Sequence, residues 1–310
     1  MSQLHATIGA GGCATLCDAF ASAQRSIVAQ FHSVGDLSTG TRARSGPIID
    51  ALNAAARRGI NVTVHVEADR CRYDHHGVHE PDNNHVRRTY AGYERGFDDR
   101  IHVIADADPQ ILEHAKAAVV DGSRAFVATA NPNRSGYEEP GAIVVEDDEP
   151  SDVSAIGSSI DGTPSQTTRV VSGPTQSARD RIAGLLSERH DERIAIEDLS
   201  DSTIVQILIA RSRDGFHDEV IVKSEPGLTL SASRQLIDAG IAVRALPGSY
   251  LHDKYIDAGD RIYIGSANLT RNGLDEAREI GIIATASDFD DGAASLRADF
   301  DAMWHRATAL

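Results

Sequence analysis

The chain has 310 residues, of which 41% are hydrophobic and 25% charged, as is usual for a globular protein. Its 46 acidic residues outnumber its 30 basic ones, and the resulting formal net charge of −16 excludes the broadly basic surface of a dedicated nucleic-acid binder. No apolar run is long enough to predict a membrane span, and three cysteines are too few for a disulfide framework.

The N-terminal segment MSQLHATIGAGGCATLCDAF lacks the basic region and the continuous apolar core of a signal peptide. We therefore expect a cytoplasmic protein with no transmembrane segment; export without a signal peptide and peripheral contact with a membrane stay open. The segment contains Gly9-Ala-Gly-Gly12, but we predict no strand before these glycines and hence no dinucleotide-binding loop. We expect the protein to be a monomer.

A strand–helix–strand pattern occurs twice along the chain. In the first copy, Ser26–Phe31 precedes IIDALNAAARRGINVTVHVE, which starts at Ile48. In the second, Arg193–Glu197 precedes IVQILIARSRDGFHDEVIVK, which starts at Ile204. Both long segments have apolar residues three and four apart, a glycine 11 positions after the first isoleucine, and then an alternating strand. Each copy is therefore predicted to form a βαβ unit.

A histidine-rich segment, Tyr73–His85, follows the first unit and contains four histidines. Their spacing matches no closed tetrahedral zinc motif, so we predict no metal site there. A surface loop is the simplest interpretation. Contact with a substrate at the mouth of an active site is the functional alternative.

Each half is predicted to end in a β-hairpin, a polar loop and one more strand. The hairpins lie in LEHAKAAVVDGSRAFVATANPN and YLHDKYIDAGDRIYIGSANLT. The stretch Glu146–Gln166 is acidic and rich in Ser, Gly and Pro, so we interpret it as a linker or surface loop and place the linker at 151–170. We predict an N-terminal half at 1–150 and a C-terminal half at 171–310, two α/β units facing each other about a pseudo-twofold axis.

One short motif recurs within these hairpins. His114-Ala-Lys116 is followed by Asp121, and His252-Asp-Lys254 is followed by Gly265-Ser-Ala-Asn268. These residues resemble the two signature motifs of the phospholipase D superfamily, and the repeats resemble cardiolipin-synthase-like and bacterial phospholipase D proteins in particular. The resemblance covers nearly the whole chain. It implies two α/β/α sandwich halves with one active site at their interface.

The chemistry of the motif can be argued from its spacing. Residues two apart on a strand point to the same face, so His and Lys of each copy project into one cavity. Cleavage of a phosphodiester needs a nucleophile, a proton donor and positive charge around the phosphate oxygens. Two histidines and two lysines supply these groups through a covalent phosphohistidine. We therefore expect no metal and no cofactor.

The resemblance assigns a role to each matching residue. The catalytic groups it implies are His114, His252, Lys116 and Lys254, with His114 expected as the nucleophile. The phosphate-binding residues it implies are Asn131, Asn268, Thr129 and Ser266. The orienting carboxylates it implies are those of Asp121, Glu139, Glu279 and Asp257. The second copy departs from the family pattern, because Gly259 stands where an Asp is expected.

Three functions fit this pattern. The first is phospholipase D-type hydrolysis or transphosphatidylation of phospholipid headgroups, which we favour. The second is a nuclease or another nucleic-acid phosphodiesterase of the same superfamily, which the charge of −16 disfavours. The third is a phosphate-binding protein without catalytic activity.

Overall fold

The structure, a computed structural model, describes residues 3–34, 46–67, 96–106, 111–132, 137, 140–223, 228–247 and 251–310. The structural statements below concern these residues. The histidine-rich segment Tyr73–His85 and the carboxylate of Glu139 lie outside them.

The N-terminal half is built on a mixed sheet with strand order β1-β7-β6-β5-β2-β3-β4. Strands β2, β3 and β4 are parallel to one another, and the remaining neighbours are antiparallel. The strands are β1 (His5–Ile8), β2 (Ser26–Phe31), β3 (Asn61–Glu67), β4 (His102–Asp106), β5 (Ala117–Val120), β6 (Arg124–Ala128) and β7 (Ile143–Asp147). The helices of this half are α1 (Ala10–Ser22) and α2 (Pro47–Arg57).

The C-terminal half is built on a second mixed sheet with strand order β15-β11-β10-β9-β12-β13-β14-β8. Its strands are β8 (Val170–Gly173), β9 (Arg193–Ile196), β10 (Glu219–Val222), β11 (Ala242–Ala245), β12 (Lys254–Asp257), β13 (Arg261–Gly265), β14 (Glu279–Thr285) and β15 (Thr308–Ala309). A helix that joins the halves is α3 (Pro150–Ile160), and the helices of this half are α4 (Gln176–Leu185), α5 (Ser202–Arg213), α6 (Leu228–Asp238) and α7 (Ala294–Arg306).

The two sheets repeat one topology. Reading from β1 through β4 in the first sheet and from β8 through β11 in the second gives the same order and the same parallel and antiparallel pairs. Gly59 and Gly215 follow α2 and α5 with φ of 90° and 93°, the left-handed conformation that ends a helix. The predicted βαβ repeat and the α/β fold of two similar halves are confirmed.

One hydrophobic cluster joins the two halves. It contains inward-facing residues of β5, β6 and β7 together with residues of β12, β13 and β14. In each half a separate cluster lies between the sheet and its own helices. The halves therefore pack sheet against sheet through apolar side chains, which holds the ends of β5 and β12 in a fixed relation.

The segment predicted as a linker or loop is partly helical. Helix α3 spans Pro150–Ile160, starts with proline in its first turn, and buries Val153, Ile156 and Ile160 in the inter-half cluster. These residues are three and four apart, so the apolar period existed but was short and flanked by acidic residues. Asp152 is buried beside Arg169, 2.7 Å from its Nε. The junction is thus a packed element of the fold.

Two further expectations are corrected or refined. Strand β1 does precede Gly9-Ala-Gly-Gly12, and it pairs with β7 at the sheet edge, where its four residues were too few to show a clear period. At the other end of the chain, the sequence LRADFDAMWHRATAL predicts an amphipathic helix that packs Phe300 and Trp304 inward. Phe300 of α7 is buried, whereas Trp304 is only half-buried. Within the described residues, no helix is both long and apolar enough to cross a membrane.

Candidate active site

The two His-x-Lys motifs lie at corresponding ends of the two hairpins, just before β5 and at the start of β12. In the first motif, Nδ1 of His114 is 2.7 Å from Oε1 of Glu279, which is the first residue of β14 in the other half. Because a carboxylate only accepts, Nδ1 carries the proton and Nε2 is the ring nitrogen left for chemistry. The predicted pairing of Glu279 with an imidazole is therefore present in the geometry.

The His114–Glu279 pair is buried, and this sets its charge. Burial lowers the pKa of His114, while the charge of Glu279 opposes that shift and Lys116 adds to it. Although burial alone would raise the pKa of Glu279, His114 and Lys116 hold it below its ordinary value. The free site thus favours an ionised carboxylate beside a neutral imidazole, which is the state of a nucleophile.

Lys116 is 1% exposed and donates a hydrogen bond to the carbonyl oxygen of His114. Burial lowers the pKa of Lys116 to about 7. The positive charge of Lys254 contributes to this shift, and the negative charge of Glu279 opposes it. Lys254 belongs to the second motif, so its charge reaches Lys116 across the interface between the halves.

The second motif repeats the lysine geometry. The ammonium of Lys254 donates to the carbonyl oxygen of His252 at 3.0 Å and lies 2.5 Å from Oε2 of Glu197. Burial, together with the charges of Lys254, Lys116 and His114, lowers the pKa of His252 to about 4, and the charge of Glu197 opposes this shift. Because charges of each motif act on the other, the two motifs lie near each other across the interface between the halves.

The two predicted phosphate-binding asparagines are held alike. Oδ1 of Asn131 accepts from the backbone N–H of Ser33 at 3.2 Å, and Oδ1 of Asn268 accepts from that of Asp198 at 3.2 Å. Since the oxygen end of each amide is used by backbone, the amino end is the one that can donate to an anion. Both asparagines are therefore oriented for the role that the sequence predicts.

The two predicted hydroxyl ligands are placed differently. Thr129 donates to the carbonyl oxygen of Gly141 at 3.0 Å and accepts from the N–H of Ile143 at 2.9 Å. Ser266 makes the same kind of pair with both backbone groups of Ile280, at 3.2 and 3.1 Å. Each hydroxyl has one proton, and here that proton bonds to the neighbouring strand. Both hydroxyls thus fix the loops that carry Asn131 and Asn268, and their contact with phosphate stays a prediction.

The carboxylates of Asp121 and Asp257 do not contact the histidines. Asp121 follows β5 at its far end and accepts the backbone N–H groups of residues 24–26, at 2.7 to 3.0 Å. Asp257 lies at the end of β12, 2.8 Å from Nε of Arg297. A strand rises about 3.3 Å per residue, which separates these carboxylates from the motif lysines. Their predicted orienting role is thus corrected to a structural one.

Backbone hydrogen bonds between the two halves bring Glu279 to His114. The backbone N–H of His114 donates to the carbonyl of Arg278 at 3.1 Å, and the Arg278 N–H donates to Leu112 at 2.8 Å. The guanidinium of Arg278 also donates to the carboxylate of Glu113. Glu113 and Arg278 adjoin the motif residues in sequence, which is the only signal that sequence reasoning had for them.

Two further residues at the site were missed by sequence reasoning, His32 after β2 and Glu197 after β9. Both follow strands that pair directly with the hairpin strands β5 and β12. Their position at a strand end next to each motif was available from the repeat. In the described part of the chain, no group of three or more His, Cys, Asp and Glu side chains is placed to hold a metal ion.

Comparison with known proteins gives a family match to part of the chain and solved structures with a similar fold. Residues 184–304 match the family described as cardiolipin synthase, PLD-like domain. A search of curated proteins returned no match. Phosphatidylserine synthase of Haemophilus influenzae is similar in structure over 99% of this chain and 87% of its own, with a TM-score of 0.70 and 12% identity.

Two other solved structures are similar, one over part of its own length and the other over part of this chain. Polyphosphate kinase of Porphyromonas gingivalis matches 94% of this chain with a TM-score of 0.61 and 20% identity. The present chain spans about half of that kinase, 47%. The phospholipase D family member Nuc of Salmonella typhimurium matches 46% of this chain with a TM-score of 0.42 and 17% identity.

Proposed function

We propose that the chain is a phosphodiesterase or phosphotransferase of the phospholipase D superfamily, which cleaves or transfers a phosphodiester through a covalent phosphohistidine. The PLD-like match at residues 184–304 and the shared fold support this proposal. The observation that carries this proposal is the bond of 2.7 Å between His114 of one half and Glu279 of the other. This bond fixes the tautomer of one motif histidine, and the negative charge of the carboxylate stabilises positive charge on the ring.

In the first step, Nε2 of His114 attacks phosphorus and the bond from phosphorus to the leaving alcohol oxygen breaks. His252, as imidazolium, gives its proton to that oxygen. The low pKa of His252, about 4 in the free site, rises when an anionic phosphodiester binds beside it. The positive charge that develops on His114 is stabilised by Glu279.

In the second step, neutral His252 takes a proton from water or from an acceptor alcohol, whose oxygen attacks phosphorus. The bond between phosphorus and Nε2 of His114 breaks, and both histidines return to their starting states. Water gives hydrolysis, and an alcohol gives transfer to a new phosphodiester. Lys116, Lys254 and the amino groups of Asn131 and Asn268 bind the phosphate oxygens, so the reaction requires no metal.

We propose phospholipid headgroups as the substrate class. The net charge of −16 repels a long polyanion, whereas a phospholipid presents a single phosphodiester at the end of an apolar anchor. The inventory of 27 arginines and only three lysines, two of them in the motifs, supports a small cationic site in an otherwise acidic protein.

The experiment is a paired assay of the wild-type chain on dispersions of phosphatidylcholine or phosphatidylglycerol and on single-stranded DNA. Release of free headgroup at a rate far above that of nucleotide release supports the proposal. Preferred cleavage of DNA would replace the lipid substrate with a nucleic acid. Tight phosphate binding without turnover of either substrate would leave only a binding protein.

A further inference from the structure

His32 and Glu197 occupy corresponding positions in the two halves. Each directly follows the strand that pairs with the hairpin of its half, β2 with β5 and β9 with β12. In each half the next residue donates its backbone N–H to the motif asparagine, at 3.2 Å in both. The repeat therefore equates a histidine in the first half with a glutamate in the second.

The two residues approach different members of their motifs. The ring centroid of His32 is 5.0 Å from that of His114, with the ring planes tilted by 59°. Glu197 instead forms an ion pair with Lys254, 2.5 Å from carboxylate oxygen to ammonium nitrogen. The site is thus chemically unequal at its two ends, although the backbone around it is repeated.

The orientation of His32 is set by the chain. Its Nδ1 lies 3.0 Å from the carbonyl oxygen of Glu113, the residue before His114. A carbonyl only accepts, so Nδ1 carries a proton and Nε2 is at the opposite end of the ring. When the ring is protonated, Nε2 becomes a donor beside His114.

The charge of the two ends follows from this difference. Glu197 pairs with the ammonium of Lys254 in the second half, whereas the first half has an imidazole at that position and the carboxylate of Glu279 pairs with His114 itself. A phosphoryl group bonded to His114 carries negative charge on its oxygens, and a nearby cation favours it. A bound phosphate in turn favours the imidazolium form of His32.

We propose that His32 is a further substrate-binding residue, which donates from Nε2 to an oxygen of the phosphoryl group at His114. This inference rests on the proposed function and extends it, because it places the more negative part of the reacting group in the first half. The second half, with Lys254 already paired, is left to face the leaving group.

The test is a charge series at one position, His32→Lys, His32→Gln and His32→Glu, with His102→Gln on exposed β4 as the matched control. We expect KM for the phosphodiester to rise about 10-fold in the Gln variant and further in the Glu variant. The Lys variant should restore KM to within about threefold of the wild type. The control should leave both kcat and KM unchanged.

The order Lys, then Gln, then Glu in kcat/KM supports a charge contact with phosphate, since a role in packing alone would not depend on charge. A Gln variant within about twofold of the wild type, or three variants with equal losses, would overturn the inference. Binding of inorganic phosphate by calorimetry separates this inference from the proposed function. If the wild type binds phosphate without turnover, the same order in affinity keeps the role of His32 and rejects only the catalysis.

Discussion

Oε1 of Glu279 lies 2.7 Å from Nδ1 of His114, although 165 residues separate the two in sequence. The contact crosses from the second sheet to the first. Backbone hydrogen bonds hold it in place, and they join Arg278 to Leu112 and His114, the residues on either side of Glu113. Neither half alone contains this pair. The geometry therefore ties the candidate chemistry to the association of the two halves.

Glu279→Gln should lower kcat by about 100-fold and change KM little. The amide keeps the shape of the side chain but lacks the negative charge that stabilises the phosphoimidazolium. Steady-state kinetics on a phosphatidylcholine dispersion measure this. Glu276→Gln, three residues earlier with a side chain 41% exposed, is the matched control and should behave like the wild type. Equal kinetics of the Glu279 variant and the control would remove this carboxylate from the mechanism.

His114→Ala and His252→Ala should each reduce turnover to background, since one histidine cannot both attack phosphorus and protonate the leaving oxygen. A chelator should leave the rate of the wild type intact. Retained activity in both variants would show that the site lies elsewhere. A loss of about 100-fold on chelation would contradict a reaction without metal.

The pKa of Lys116, lowered by burial to about 7, predicts the pH dependence of substrate binding. Below this pKa the side chain is an ammonium that binds phosphate, and above it the side chain is a neutral amine. KM should therefore rise as pH increases from 6 to 8.5. Lys116→Arg keeps its charge throughout that interval and should lose this dependence. A wild-type KM that is flat over the interval would contradict the assignment.

Asp121→Ala should destabilise the fold without a direct effect on chemistry. The carboxylate accepts three backbone N–H groups before and at the start of β2, so its loss should cost about 1 to 2 kcal/mol of the free energy of unfolding. Urea denaturation measures that cost, and kcat at a temperature where the variant is folded should match the wild type. A fall in kcat with unchanged stability would restore an orienting role for Asp121.

Much of the fold was available from the sequence because it is repeated. The apolar period, the glycine after each long helix and the two His-x-Lys pairs agreed in order and spacing, and one copy supported the other. The repeat did not predict the chemical difference between the two halves at the site. Glu197 and His32 stand at the same place after their strands, and only the packed structure shows that one reaches a lysine and the other a histidine.

The other errors have physical reasons. Helix α3 has only 11 residues, exposes Ser151 and Ser154, and follows the acidic run Glu146–Glu149, so its apolar stripe was taken for part of a linker. The error on Asp121 could have been avoided from the sequence alone, because five residues of strand place it about 16 Å from Lys116.

The proposed mechanism requires both motifs to act on one phosphorus atom. The most direct test is a crystal structure of the wild-type chain with tungstate, an analogue of the phosphoryl group. We expect one tungstate per chain, within hydrogen-bond distance of ring nitrogens of both His114 and His252. Two separate tungstates, or a single one that contacts the histidine of only one half, would contradict it.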